Sequence, residues 1–337
     1  MPHELPPPAR MLQHITGYWI SQTVGAAAKL GLADQLADGP RSAADVATSV
    51  QADSRSVHRV MRMLASIGVF SMDTNDQFAL TPLGDTLRSG VLGSMKNFAI
   101  AQTSPGHWLP WGQMSEAVRT GRSMSTSALG MELWDWYSSH PEEGEFFNGA
   151  MGDLSAGVSG EVTSSYDFSN CDTVLDVGGA HGILLGAILR ANPHMRGILF
   201  DLSHVTATAA DSLRAQGIDQ RCELVTGDFF ASVPTGADIH VLKQIIHDWS
   251  DEECVTLLRN CHRALKPAGK LLLVEMVIPA DNSPSMAQAM DMNMLALLTG
   301  KERTELEYRD LLAGAGFRME RAIPTHSPFS IIEASRS

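Results

Sequence analysis

Positive charge is scarce in this chain: 25 Lys and Arg stand against 38 Asp and Glu, a formal net charge of -13 over 337 residues. Phosphate contacts need clustered cations, so the balance argues against a strongly electrostatic grip on nucleic acid. Cysteine is sparse too. Cys171, Cys222, Cys254 and Cys261 form no CxxC pair, which makes zinc-ribbon and disulfide-scaffold readings poor, and no metal is expected. No segment approaches the ~18 consecutive apolar residues of a membrane span. The amino terminus MPHELPPPARM has an acid and a proline run where a secretion signal needs an apolar core. These absences point to a soluble, cytosolic protein. What is plentiful is apolar residue, 44% of the chain, too much for general disorder. The length suits two or three domains of roughly 100–200 residues each.

The first ~160 residues read as helical with one small hairpin. Apolar residues recur at helical spacing from Met11 to Gly31, and SVHRVMRMLASIG forms an amphipathic helix capped by Asp53 or Ser54. VFSMDTNDQFALTPLG reads as two short strands around an Asn-Asp turn. Helix, turn, helix and hairpin in that order is a winged-helix layout. Arg55, Arg59 and Arg62 would suit a DNA-reading helix, yet their spacing equally describes one solvated face. Residues 95–160 are again helical and carry Trp108, Trp111, Trp134, Trp136, Phe146 and Phe147. Most of these rings are expected in core or subunit packing, with some walling a flat aromatic ligand.

From about Ser169 the texture changes. Five short apolar strands alternate with helices, the pattern of a parallel sheet covered on both faces. FRMERAIPTHSPFSIIEASR closes the chain as two antiparallel strands. In such a doubly wound α/β sheet, ligands bind at the carboxyl ends of the strands, so those ends locate the site. The first strand runs into Asp176-Val177-Gly178-Gly179-Ala180-His181-Gly182, a loop that lets backbone approach a ligand yet lacks the dinucleotide fingerprint G-x-G-x-x-G. Asp201 ends the second strand, 23 residues after Gly178, about where a ribose-binding carboxylate falls; capping the next helix is the competing role. Gly227-Asp228-Phe229-Phe230 ends the third, an acid and aromatic rings suited to an adenine or simply to an acidic turn over core. The fourth leads into Lys243-Gln244-Ile245-Ile246-His247-Asp248-Trp249, placing an imidazole where it takes a proton near neutral pH. Glu275 at the end of the fifth strand and Glu302 in GKERT are carboxylates able to hold that imidazole in one tautomer.

LDVGGAHG, GDFF, LKQIIHDWSDEEC, GKLLLVE and GKERTELEYRDLLAGAGF, in that order, resemble the S-adenosylmethionine-dependent small-molecule O-methyltransferases of the plant caffeic-acid and bacterial antibiotic-tailoring type, over nearly the whole chain. The resemblance implies a winged-helix-like dimerisation domain over 1–95, a helical linker contributing to the substrate pocket over 96–165, and a Rossmann-like methyltransferase domain over 166–337. It implies a homodimer, the donor S-adenosyl-L-methionine and the product S-adenosyl-L-homocysteine. Position by position it makes His247 the general base, flanked by Glu275 and Glu302. Gly178, Asp201, Leu202, Asp228, Phe229 and Lys243 go to the cofactor, and Asp248 to orienting substrate or cofactor. Ala180 stands where glycine is common in the family.

The expected reaction is direct displacement of a sulfonium methyl by the hydroxyl of a planar aromatic, secondary-metabolite acceptor. Alignment supplies several kcal/mol, and proton transfer to His247 about 10²–10⁴-fold. The acceptor is expected between Trp136, Phe147 and Met151 on one side and Met290, Asn293 and Met294 on the other; methionine stripes are also ordinary core. The rival readings are nitrogen or carbon methylation, decarboxylation or hydroxylation with the same cofactor, a nicotinamide oxidoreductase and a DNA-binding regulator.

Overall fold

The computed structural model describes residues 5–337; the first four residues of the acidic, proline-rich terminus lie outside them. The chain divides into two compact units, one formed by residues up to Leu109 with Trp134–Asp153, the other by Pro110–Leu133 with Leu154–Ser337. No helix among the described residues is long and apolar enough to cross a membrane.

In the first unit the leading helix starts inside the proline run, at Pro7, because a proline at the first helical position gives up only an N–H that has no helical partner anyway. The apolar stretch expected to be continuous from Met11 is broken at Thr16, between helices Pro7–Ile15 and Gly17–Lys29. Thr16 leaves the helical region with φ -92 and ψ 3, and its Oγ1 donates to the Leu12 carbonyl at 2.8 Å. Asp53 caps helix Ser54–Ser66 by accepting the Ser56 N–H at 2.9 Å. That helix buries Val57, Met61 and Leu64 and leaves Arg55, Arg59 and Arg62 exposed, the solvated-face arrangement. The expected hairpin is β2 (Phe70–Met72) and β3 (Gln77–Leu80), joined by a two-residue β1 (Arg41–Ser42) in the order β1-β3-β2. This is a winged helix. Met11, Leu12, Ile15, Tyr18 and Trp19 stand exposed on its first two helices.

The second unit is a doubly wound sheet. Its strands are β4 (Thr173–Val177), β5 (Arg196–Asp201), β6 (Cys222–Thr226), β7 (Ile239–Lys243), β8 (Lys270–Ile278), β10 (Phe317–Pro324) and β11 (Phe329–Arg336), in the order β10-β11-β8-β7-β4-β5-β6. A two-residue β9 (Arg303–Thr304) pairs beside β8. β4 through β8 are parallel, whereas β10 and β11 run antiparallel. Successive side chains point to opposite faces, so Val241 enters one core and Leu242 the other. The chain goes from β4 outward through β5 and β6, then returns to β7 on β4's other side. That reversal opens a crevice between the carboxyl ends of β4 and β7.

One core position is out of character. His240 on β7 is fully buried, and neither ring nitrogen finds a hydrogen-bond partner among the described residues. Burial pushes its pKa from 6.5 down to about 4. As pH falls through that window the unfolded chain takes a proton that the folded chain refuses, so stability falls by about 1.4 kcal/mol per pH unit. His240→Leu should therefore lose about 3 kcal/mol less than the wild type between pH 6.5 and 4. Urea unfolding at stepped pH measures this, and parallel pH profiles would contradict it.

Candidate functional site

The site is built at the crevice. β7 ends at Lys243, and Gln244 then adopts φ 54, a left-handed conformation uncommon for a residue with a side chain. It swings the chain into the short helical turn Ile246–Asp248 that carries His247. Glu275, from neighbouring β8, receives that turn: its Oε1 accepts the N–H groups of Ile245 at 3.0 Å and Ile246 at 2.9 Å. Its Oε2 faces His247 Nδ1 at 4.0 Å. Glu302 Oε1 lies 2.7 Å from the same nitrogen, and Asp248 Oδ1 lies 3.4 Å from Nε2. His247, Glu275 and Glu302 are all buried.

The electrostatics follow from this crowding. Burial alone would lower the His247 pKa, but Asp248, Glu275 and Glu302 outweigh it and lift it to about 10. Burial pushes Glu275 up to about 7 and Asp248 up to about 6, against the pull of His247. Lys243 faces Asp176, Glu275 and Asp248, and burial holds its pKa below the usual lysine value. Nδ1 bound to Glu302 leaves Nε2 as the nitrogen able to exchange a proton with a ligand. The ligand atoms of His247, Glu275 and Glu302 lie within 4.8 Å of one another, close enough to hold a metal ion, but the 2.7 Å His247–Glu302 separation is that of a charge-assisted hydrogen bond.

The cofactor candidates gather at the same rim. Gly178 has φ 70, and a Cβ there would lie 2.6 Å from Ile245 Cδ1 and 3.6 Å from Phe229 Cε1. A side chain there would collide with Ile245, because the β4, β6 and β7 loops meet closely at this glycine. Ala180 also takes a positive φ, 49; its N–H donates to Asp201 Oδ2 at 2.9 Å while the Leu202 N–H donates to Oδ1 at 2.7 Å. Asp201 thus ties the β4 loop to the end of β5, and Leu202 is exposed. Asp228 Oδ1 accepts the Phe230 N–H at 2.8 Å. Phe229 packs edge-on to Phe230 and Trp249, and Asn260 Nδ2 holds both phenylalanine carbonyls at 2.8 Å.

The acceptor candidates divide between the two units. Trp136, Phe147 and Met151, all half-buried, belong to the first. Trp136 stacks on His140 with ring centroids 3.5 Å apart, and Phe147 stacks on Tyr137 at 4.7 Å. Tyr137 Oη in turn meets His107 Nδ1 at 2.7 Å. In the second unit, helix Met286–Leu297 buries Met294 and half-buries Met290, and Asn293 Oδ1 accepts the Trp111 indole N–H at 2.9 Å. Sequence reasoning missed three residues that set this geometry. Asp291 Oδ1, on the same helix, accepts the Glu302 N–H at 3.0 Å. Gly300 lies flat on the turn, so that an added Cβ would overlap the His247 carbonyl oxygen and come within 2.5 Å of Asp248 C and Trp249 N. Arg303 is buried directly behind the turn. GKERT marked the segment but gave no hint of these contacts.

Residues 111–318 match the O-methyltransferase domain family, and residues 12–90 match the O-methyltransferase dimerisation domain. The chain belongs to the O-methyltransferase family. The phenazine O-methyltransferase PhzM of Lysobacter antibioticus is 41% identical over 96% of this chain and 95% of its own length. A phenazine-1-carboxylate N-methyltransferase of Pseudomonas aeruginosa is 32% identical over 97% of each. The solved structure of LaPhzM superposes with a TM-score of 0.94 at 40% identity, covering 99% of this O-methyltransferase and 100% of that chain. Other solved relatives hold S-adenosylmethionine. This O-methyltransferase is thus an S-adenosylmethionine-dependent small-molecule enzyme of the antibiotic-tailoring type.

Proposed function

We propose that the enzyme methylates a hydroxyl of a planar, polycyclic aromatic acceptor, with His247 as general base and Glu275 and Glu302 holding it. The observation that carries this reading is the buried 2.7 Å His247–Glu302 pair, set beside a β4 loop whose Gly178 leaves no room for a side chain against Ile245. That close backbone approach, with the Asp201 and Asp228 carboxylates and the Phe229 ring around the crevice, fits a nucleoside donor carrying a diol and a flat base. Gly178, Asp201, Leu202, Asp228, Phe229 and Lys243 would hold it. When bound, S-adenosylmethionine supplies an electrophilic methyl group on a cationic sulfonium.

The chain's own residues do the rest. Three carboxylates keep both imidazole protons on His247 at neutral pH. A cation brought beside the ring disfavours that charged form, freeing Nε2 to accept the acceptor's hydroxyl proton. Glu302 fixes the tautomer through Nδ1, and Asp248, on the Nε2 side, orients the hydroxyl. A phenol, with a pKa of about 10, gains from such a base at neutral pH. Met290, Asn293 and Met294 would line the acceptor's aromatic plane.

The three-part division into 1–95, 96–165 and 166–337 belongs to the same proposal. The first part would form a homodimer through its exposed apolar helices, since a contiguous apolar patch of that kind commonly marks an association surface. The deciding experiment incubates the enzyme with S-adenosylmethionine and a panel of hydroxylated, aminated and carboxylated phenazines and naphthoates, and locates the added methyl by mass spectrometry and NMR. Methyl on oxygen is expected. Methyl on a ring nitrogen, as the N-methyltransferase relative's name would suggest, or no transfer would overturn the reading.

A further inference from the structure

We infer that Arg303 is the positioning residue of the active site, a buried clasp that sets the separation and orientation of His247 and Glu302; the inference rests on the reading of His247 as base. Its guanidinium is fully buried. Nη1 donates to the carbonyls of Ile246 at 3.0 Å and Lys301 at 3.1 Å. Nη2 donates to the Trp249 carbonyl at 3.1 Å. Nε and Nη2 share Asp251 Oδ1 at 3.0 and 2.7 Å, and Cys254 Sγ lies 3.7 Å from Nη2.

The placement of these acceptors is what matters. Ile246 precedes His247 and Trp249 follows it by two residues, so the guanidinium grips the catalytic turn on both sides. Lys301 precedes Glu302, and Arg303 is itself the next residue, so the same group fixes the Glu302 segment. β9 begins at Arg303 and pairs with Val277 and Ile278 of β8, the strand that carries Glu275. The side chain therefore joins the segments bearing His247 and Glu302, while the residue's own backbone pairs with the strand bearing Glu275. Burying a cation for packing alone is costly, and here the fork donates to three backbone carbonyls flanking the reacting groups, with its remaining bonds going to Asp251. Asp251, half-exposed at the start of helix Asp251–Ala264 and also paired with Lys301 at 3.0 Å, supplies the counter-charge. Lysine would keep the charge but lose the planar fork that reaches several acceptors at once.

The test is a double-mutant cycle of Arg303→Lys with His247→Ala, reading kcat against pH, S-adenosylhomocysteine affinity by calorimetry, and thermal stability. Arg303→Lys should lower kcat by about 100-fold, the loss that a 1 Å misplacement brings, with S-adenosylhomocysteine affinity held within about 3-fold. Its rising pH limb should move to lower pH, because the imidazole loses the grip of Glu302 while Asp248, Glu275 and Lys243 still surround it. In the His247→Ala background the same change should cost almost nothing. An equal cost in both backgrounds, or a wild-type pH profile with kcat and product affinity falling together, would overturn the inference while leaving the base assignment intact. A His247→Ala variant with wild-type turnover would instead overturn the base assignment. Should Arg303→Lys fold poorly, Asp251→Asn replaces it: a kcat loss of about 10-fold with the same pH shift supports the clasp, and an unchanged profile refutes it.

Discussion

Replacing His247 with alanine is expected to lower kcat by about 10²–10⁴-fold, the range for loss of a positioned general base, while S-adenosylhomocysteine still binds. The ring is removed from a pocket whose other members, Glu275 and Glu302, are anchored independently, by the Ile245 and Ile246 amides and by Asp291. The cavity left behind should thus not collapse the rim that holds the donor. The residual rate should depend on pH in a different way. Without an imidazole, only acceptor molecules already ionised react, so the rate should climb up to the phenol's own pKa of about 10. The wild-type limb should lie lower. Calorimetry with the product and steady-state kinetics across pH check both halves; a variant retaining wild-type kcat with intact product binding would remove the base from the mechanism.

Gly300→Ala is expected to be nearly as severe, although residue 300 bears no functional group. Its α-carbon lies against the backbone of residues 247–249, and the atoms in the way are main chain rather than a flexible side-chain tip. Either the turn or the GKERT segment must move. Overpacking of this kind costs about 2–3 kcal/mol, and a displacement near 1 Å between the imidazole and its carboxylate costs about 100-fold in rate. Gly157→Ala is the control: it lies in helix Pro141–Ser165 with nothing within 4 Å of the added methyl, and should stabilise by about 0.5–1 kcal/mol. Melting curves and kcat for the pair make the comparison. Equal behaviour would show that the close approach at 300 carries no weight.

Local chemistry explains which parts of this architecture could be read from sequence. Strands β4, β5, β7 and β8 are covered on both faces, so each appears as a short, mostly apolar run, and a strand's end is expected where such a run stops. That is why Lys243 and His247 read as rim residues and why GKERT draws attention to Glu302, whereas β8 runs on to Ile278 and Glu275 lies inside it rather than at its expected end. β1 and β9 are two residues long, too short for any period to show. The break at Thr16 falls in a stretch whose apolar spacing continues past it, so periodicity does not mark it. Asp291, Gly300 and Arg303 act on groups up to 57 residues away, and no local pattern encodes such a partner. In the methionine-rich segment, spacing alone could not separate inward from outward residues: Met294 is buried, whereas Met286 and Met292 are exposed.

The bond from Asp291 to the Glu302 amide has an evolutionary corollary. Helix Met286–Leu297 is at once the surface expected to discriminate between acceptors and the tether of a residue on which turnover depends. Selection for new substrates can vary Met286 or Met292 freely, but drift at position 291 would detune the proton acceptor in the same stroke. Libraries that diversify this helix should hold that aspartate constant, and variants that gain a bulkier substrate by tilting the whole helix should do so at the expense of speed.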